Sequence, residues 1–151
     1  MLHLCKVLHM NNDLVFKLDL MDQRYTLPKY FGISPRMVTY WKSKVVLPFF
    51  DTGKKGKMNV PQALWVCLIQ ELSTFGINTT KLAELAKMVW DEPREKGYFK
   101  SKLEKHIAFL KKQNIVDSSI DAFEFILNDS KLLSTHGMEI NPFSDAVIDS
   151  I

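Results

Sequence analysis

Cysteine is scarce in this chain: Cys5 and Cys67 are the only two among 151 residues. Two thiols make no disulfide framework, and Cys67 falls in an apolar helical pattern that reads as core. No apolar run approaches the ~18 residues that a membrane span requires. The opening MLHLCKVLHM has an apolar flavour, but Lys6 interrupts it and no small-residue cleavage site follows, so no secretory signal is expected. Internal repeats and low-complexity tracts are missing. So are a nucleophile elbow, a phosphate loop and a paired-carboxylate motif, which argues against an enzyme. His3, Cys5 and His9 place three possible ligands close together, yet structural zinc wants four at recurring spacings and no second cluster exists. His106 lies beside an apolar stripe and His136 in the tail. These absences lead us to expect a cytoplasmic protein with no metal, no cofactor and no catalytic role.

What is present is an ordinary globular composition, 46% hydrophobic and 25% charged, in a chain long enough for one domain or a small domain with an appendage. The net charge of +3 hides a strong asymmetry. Residues 24–57 hold Arg24, Lys29, Arg36, Lys42, Lys44, Lys54, Lys55 and Lys57 against one acid, Asp51. From residue 113 onward a single lysine, Lys131, faces seven acidic residues. One basic patch on an otherwise acidic chain is the electrostatic footprint of a surface for a polyanion.

Residues 1–22 are ambiguous. Leu14, Phe16, Leu18 and Leu20 alternate as a half-buried strand, and Asn11-Asn12 can turn a β-hairpin from residues 2–9. Leu14, Leu18 and Met21 also satisfy a helical stripe; the alternation favours the hairpin. Thr26 can then cap a short helix with Pro28 in its first turn, and Gly32 supplies a turn. Ser34-Pro35 is a helix start, a hydroxyl cap followed by proline at the first position. That helix runs from Pro35 to about Ser43, with Val38 and Trp41 inward and Arg36, Thr39, Tyr40 and Lys42 outward. Residues 49–58 contain DTGKKGK, a loop suited to a tight β-turn or small wing. Asn59 and Gln62 form a capping box for a helix carrying Leu64, Cys67, Leu68, Ile69 and Leu72, which stops near Gly76. Asn78 starts another, with Leu82, Leu85, Ala86, Val89 and Trp90 on its apolar side. The polar stretch DEPREKG, residues 91–97, reads as a break. Beyond it, Phe99, Leu103, Ile107 and Leu110 make one helical stripe, and Ile120, Phe123, Ile126 or Leu127, and Leu133 make another. The acidic tail from Thr135 has Gly137 and Pro142 and little periodicity, so it is expected to be loosely held.

This order of features resembles the DNA-binding domain of the MerR family. Gly32-Ile33-Ser34, Tyr40-Trp41, Leu47-Pro48, the basic glycine loop, Asn59 and Gly76-Ile77-Asn78 stand at the family's spacings. The likeness covers residues 25–90, under half of the chain. It implies a mainly α fold: a winged helix-turn-helix with a small β wing at residues 23–90, followed by a helical extension at 91–151. It further implies a bacterial or mobile-element regulator of transcription that inserts its recognition helix into the major groove of double-stranded DNA. The residues it assigns to DNA are Ser34, Arg36, Thr39, Tyr40, Lys42, Lys44, Lys54, Lys55 and Lys57. Arg36, in the first turn, has the planar fork that suits guanine or a phosphate. Tyr40, Lys42 and the wing lysines are at reach for phosphates, which position without reading sequence.

The chain also departs from the family. The LPKYF helix is short, Thr39 stands where arginine is common, and Val45 replaces a glycine that often closes the recognition helix. A β-branched residue tolerates positive φ poorly, so a different turn is expected there. Pro93 and Gly97 interrupt the region where the family has a long dimerising coiled coil. A homodimer or a protein partner held through residues 91–133 is the expectation that remains. Two other functions fit the same residues: a protein-interaction module that kept the fold without DNA binding, and an excisionase or packaging adaptor of a phage.

Overall fold

A computed structural model describes residues 23, 28–50, 57–114 and 118–150. The expected hairpin, the Thr26 cap, the metal-like histidines near the N-terminus, and the loop tip with Lys54 and Lys55 lie outside them. The described residues are mainly helical and contain no strand.

A 3₁₀ turn, Pro28–Phe31, leads through Gly32 into helix α1, Pro35–Ser43. Ser34 caps α1, its Oγ accepting from Met37 N at 3.2 Å, and Pro35 takes the first turn where a donor is not needed. Trp41 is buried and Val38 packs beside it, as their spacing dictates. The end of α1 corrects the expectation at Val45. This residue does adopt positive φ, +58°. Val46 N donates to Trp41 O (2.9 Å) and Val45 N to Lys42 O (3.0 Å), the bond pair of a Schellman ending. Two anchors hold the strained residue. Val46 is fully buried, and its carbonyl accepts from Trp65 Nε1 at 3.0 Å.

Helix α2, Val60–Thr74, opens on the expected capping box, with Asn59 Oδ1 accepting from Gln62 N and Gln62 Oε1 from Asn59 N. Its buried face is rotated from the expected one. Trp65, Val66 and Ile69 go inward, Leu64 and Leu68 are exposed, and Cys67 is half-buried. The segment ALWVCLIQEL is apolar nearly all round, so periodicity cannot choose its face, and neighbouring positions differ by only about 100°. The bulkiest ring decides, because an aromatic side chain buries far more area than a leucine. Trp65 meets Trp90 edge-on with centroids 5.9 Å apart.

Helix α3, Thr79–Ala86, is capped by Asn78 and buries Leu82 and Ala86. It does not stop at the expected break. The chain passes through a π-helical turn, Lys87–Asp91, directly into a short helix α4, Glu92–Glu95. Pro93 has no N–H to donate and its ring crowds the carbonyl four residues back; the wider π turn absorbs both. The break is confined to Lys96 and Gly97, where Gly97 has φ +68°.

Helix α5, Tyr98–Lys112, buries the predicted stripe Phe99, Leu103, Ile107 and Leu110. With α6, Ser118–Asn128, and α7, Ser130–Glu139, it surrounds a second apolar cluster that includes Phe123 and Ile140. The first cluster spans Ile33 to Trp90.

The tail supplies the largest surprise. Its last described helix, α8, Pro142–Asp149, is capped by Asn141 and firmly packed. Phe143 stands edge-on to Trp65 at 5.6 Å and tilted against Trp90 at 6.0 Å. Two residues on, Asp145 accepts from Tyr98 Oη (2.6 Å) and Lys102 Nζ (2.5 Å). This one helix therefore touches both clusters. Its register was obscured because two of its four inward residues, Ser144 and Asp145, are polar, beside Phe143 and Ile148.

Candidate nucleic-acid interface

Helix α1 turns its buried side to Ile33 and Leu47 in the first cluster and leaves the rest of its surface open. Of the residues that the sequence nominates, Ser34, Arg36, Thr39, Tyr40 and Lys44 are exposed on or beside it. Lys57, where description resumes after the loop, is exposed too. No aspartate or glutamate occurs from residue 28 to 50. Among the described residues, none of Lys29, Arg36, Lys44 or Lys57 enters an ion pair. Among the described residues, the face therefore carries positive charge without a compensating acid.

The hydrogen bonds already made sort these side chains chemically. Ser34 Oγ accepts from its own helix, so its hydroxyl proton stays available to an anion. Thr39 Oγ1 donates to Pro35 O at 2.9 Å. That leaves it lone pairs and a methyl group, which suit a base edge better than a phosphate. Tyr40 and Thr79 share a hydrogen bond of 3.1 Å between their hydroxyls, in which either donates. One proton of that pair is free, and the bond fixes α1 against the first turn of α3. Lys42 is half-buried, its Nζ 5.8 Å from the Phe50 ring centroid, a cation–π distance. It points along the protein surface as much as outward.

Sequence reasoning missed a groove beside this face. Gln70, Ser73 and Thr74, from the last turns of α2, line it together with Ser34, Met37 and Trp41. Only the inward register of α2, which the sequence left open, brings them there. Among the described residues no group of three or more His, Cys, Asp or Glu is placed to hold a metal ion. No helix among them is long and apolar enough to cross a membrane. Comparison with protein-family models, curated proteins and solved structures finds no match to this chain.

Proposed function

We propose that the chain binds double-stranded DNA through α1, as a regulator of transcription or a related DNA-bound factor. On this reading the 3₁₀ turn and α1 form a minimal helix-turn-helix, and the basic loop with Lys54 and Lys55 is its wing, as in the MerR-type fold. One observation carries the reading. A serine-capped helix presents Arg36 in its first turn on a surface where Lys29, Arg36, Lys44 and Lys57 form no ion pair among the described residues. Helix N-termini favour anions, and guanidinium reads guanine or grips phosphate. Exposed cations without acids nearby repel one another, a cost that an external polyanion removes.

Fluorescence anisotropy with duplex DNA across a salt series tests it. Binding is expected to weaken steeply with salt, each phosphate contact contributing about −0.9 to the log–log slope. Arg36→Ala is expected to relax discrimination between sequences by about 1–3 kcal/mol at the base it reads. Lys54→Ala with Lys55→Ala lowers affinity for all sequences alike and flattens the slope. No salt-sensitive association at micromolar protein sinks the proposal.

A protein-interaction module is the second reading. The observation that favours it is the apolar surface left on the same half of the molecule, where Leu64 and Leu68 are 47% and 40% exposed and Phe75 80%. Such area is characteristic of contact surfaces.

A further inference from the structure

An open groove of about 260 Å³ lies between the first turn of α1 and the last turns of α2. Ile33 and Trp41, both nearly buried, and the more exposed Met37 give it an apolar lining. Ser34, Gln70, Ser73 and Thr74 supply its polar groups, and no charged side chain among the described residues lines it. Their hydrogen-bonding capacity is mixed. Ser34 keeps a proton to donate. Thr74 Oγ1 donates to Glu71 O at 2.7 Å and keeps its lone pairs. The Gln70 amide, with donor and acceptor both, makes no side-chain hydrogen bond among the described residues, nor does the Ser73 hydroxyl.

That chemistry discriminates between ligand classes. A phosphate or carboxylate site wants a cation in its lining, and an acyl chain has no use for four polar groups. An uncharged planar heterocycle uses both features, laying its faces on apolar side chains and its edge on amides and hydroxyls. The volume falls just under the ~300 Å³ where pockets for drug-sized ligands begin, which suits a nucleobase with or without its sugar. Location adds the charge argument. Ser34 belongs both to the groove and to the cap of α1, and Arg36 stands two residues further on. A base seated here has its flanking phosphates beside uncompensated positive charge.

We infer that this groove is a pocket for a single unstacked nucleobase, adenine above all, at the edge of the DNA-binding face. Adenine is favoured because a glutamine amide pairs in two-point fashion with its N6 and N7. As to where the base comes from, the inference rests on the DNA reading above. A bulged base is cheaper to seat than a paired one, since no pairing is lost.

Two measurements on the full chain test it. In the first, wild type is titrated by NMR with free deoxyadenosine to about 10 mM, the range in which a fragment of this size binds. Shifts concentrated on the Trp41 indole and the Gln70 side-chain amide are expected. In the second, anisotropy compares a fully paired duplex with one carrying a single bulged adenine. The bulged duplex is expected to bind about tenfold tighter. Gln70→Ala, checked for native folding by circular dichroism, is expected to bring the two within about twofold while leaving paired-duplex affinity unchanged. Shifts absent or centred elsewhere overturn the groove assignment whatever the DNA data. Equal affinity of wild type for the two duplexes overturns it as well and leaves the DNA reading intact. A bulge preference that survives in Gln70→Ala also overturns it. Nucleoside shifts without salt-sensitive binding to either duplex keep the groove as a nucleobase site and remove duplex DNA as its source.

Discussion

Two stretches of this chain are rich in basic side chains, and the fold treats them in opposite ways. Around α4 and α5 most cations meet internal acids: Arg94 with Asp91 at 3.3 Å, Lys96 with Glu92 at 2.8 Å, Lys111 with Glu124 at 2.5 Å and Lys102 with Asp145 at 2.5 Å, while Lys105 and Lys112 enter no ion pair among the described residues. Around α1, Lys29, Arg36 and Lys44 meet none among the described residues. A count of lysines rates the two alike. Pairing separates a surface whose charge is largely finished internally from one whose charge is not, and the proposed partner is placed on the second. The exposed pairs themselves stabilise little, about 0–1 kcal/mol each. Their importance is that they cancel charge.

The pair that does more is Lys102–Asp145, whose side chains are 30% and 12% exposed. Breaking it is the strongest way to disturb the finished half. Asp145→Ala leaves Lys102 and the Tyr98 hydroxyl without their acceptor. The loss expected is about 2–3 kcal/mol, toward the low side for a buried pair because Lys102 keeps some solvent. Denaturant midpoints measure it. Affinity for DNA per folded molecule is expected not to change, since the pair lies outside the unpaired face. A loss below about 0.5 kcal/mol would show that the packing of Phe143 and Ile148 holds α8 without the ion pair.

Tyr98 gives the same contact a pH signature. Burial, then the hydrogen bond and charge of Asp145, push its phenol up to about 12. The folded protein thus keeps this proton at pH values where the unfolded chain has lost it. Its contribution to stability is whole below about pH 10 and is lost as pH rises through about 12. In Tyr98→Phe that part of the alkaline decline should vanish. The late-titrating tyrosinate should also disappear from the ultraviolet titration. An unaltered titration would place the high phenol on another tyrosine.

Much of the fold around α1 was legible because its signals are local. Ser34, Asn59 and Asn78 each cap the helix that their side chains announce. Trp41 is buried on the spacing with Val38. What failed depended on distant residues. The face of α2 is chosen by Trp65 against Trp90 and Phe143, partners far away in sequence, and the segment's own periodicity is nearly flat. Helix α8 reads as a polar tail until Phe143 is seen between two tryptophans. The candidate groove inherits that blindness, since Gln70 and Ser73 enter it only through the register of α2. The unpaired charge was visible from the first, because an absence of acids over residues 28–50 needs no structure to be counted.

Val45 sharpens the comparison at the level of the backbone. Gly76 ends α2 with the same two Schellman bonds that Val45 carries at the end of α1: Ile77 N to Leu72 O (3.1 Å) and Gly76 N to Ser73 O (3.1 Å). One site has the residue that the conformation favours, the other a β-branched residue at φ +58°. Left-handed backbone costs a non-glycine about 1–2 kcal/mol, partly offset in the reverse exchange by glycine's larger unfolded-state entropy. Val45→Gly is therefore expected to stabilise by about 0.5–1 kcal/mol, read from thermal or denaturant midpoints. Gly76→Ala is expected to cost about 1 kcal/mol through backbone alone, because an added Cβ meets nothing within 4 Å. If Val45→Gly destabilises, the exposed valine makes a contact that outweighs its strain.

The smallest effects on stability decide the comparison itself. Lys44→Ala removes an unpaired, exposed cation, and Lys111→Ala removes one paired with Glu124. Both substitutions should shift folding stability by no more than about 0.5 kcal/mol. On DNA they part company. Lys44→Ala is expected to reduce the salt slope by about 1, whereas Lys111→Ala should leave slope and affinity where they were. The paired lysine has its charge answered by Glu124, and it stands on α5, outside the unpaired face proposed to meet DNA. Equal slopes for the two variants would mean that net charge alone attracts DNA. The pairing pattern would then carry no information about where the partner sits.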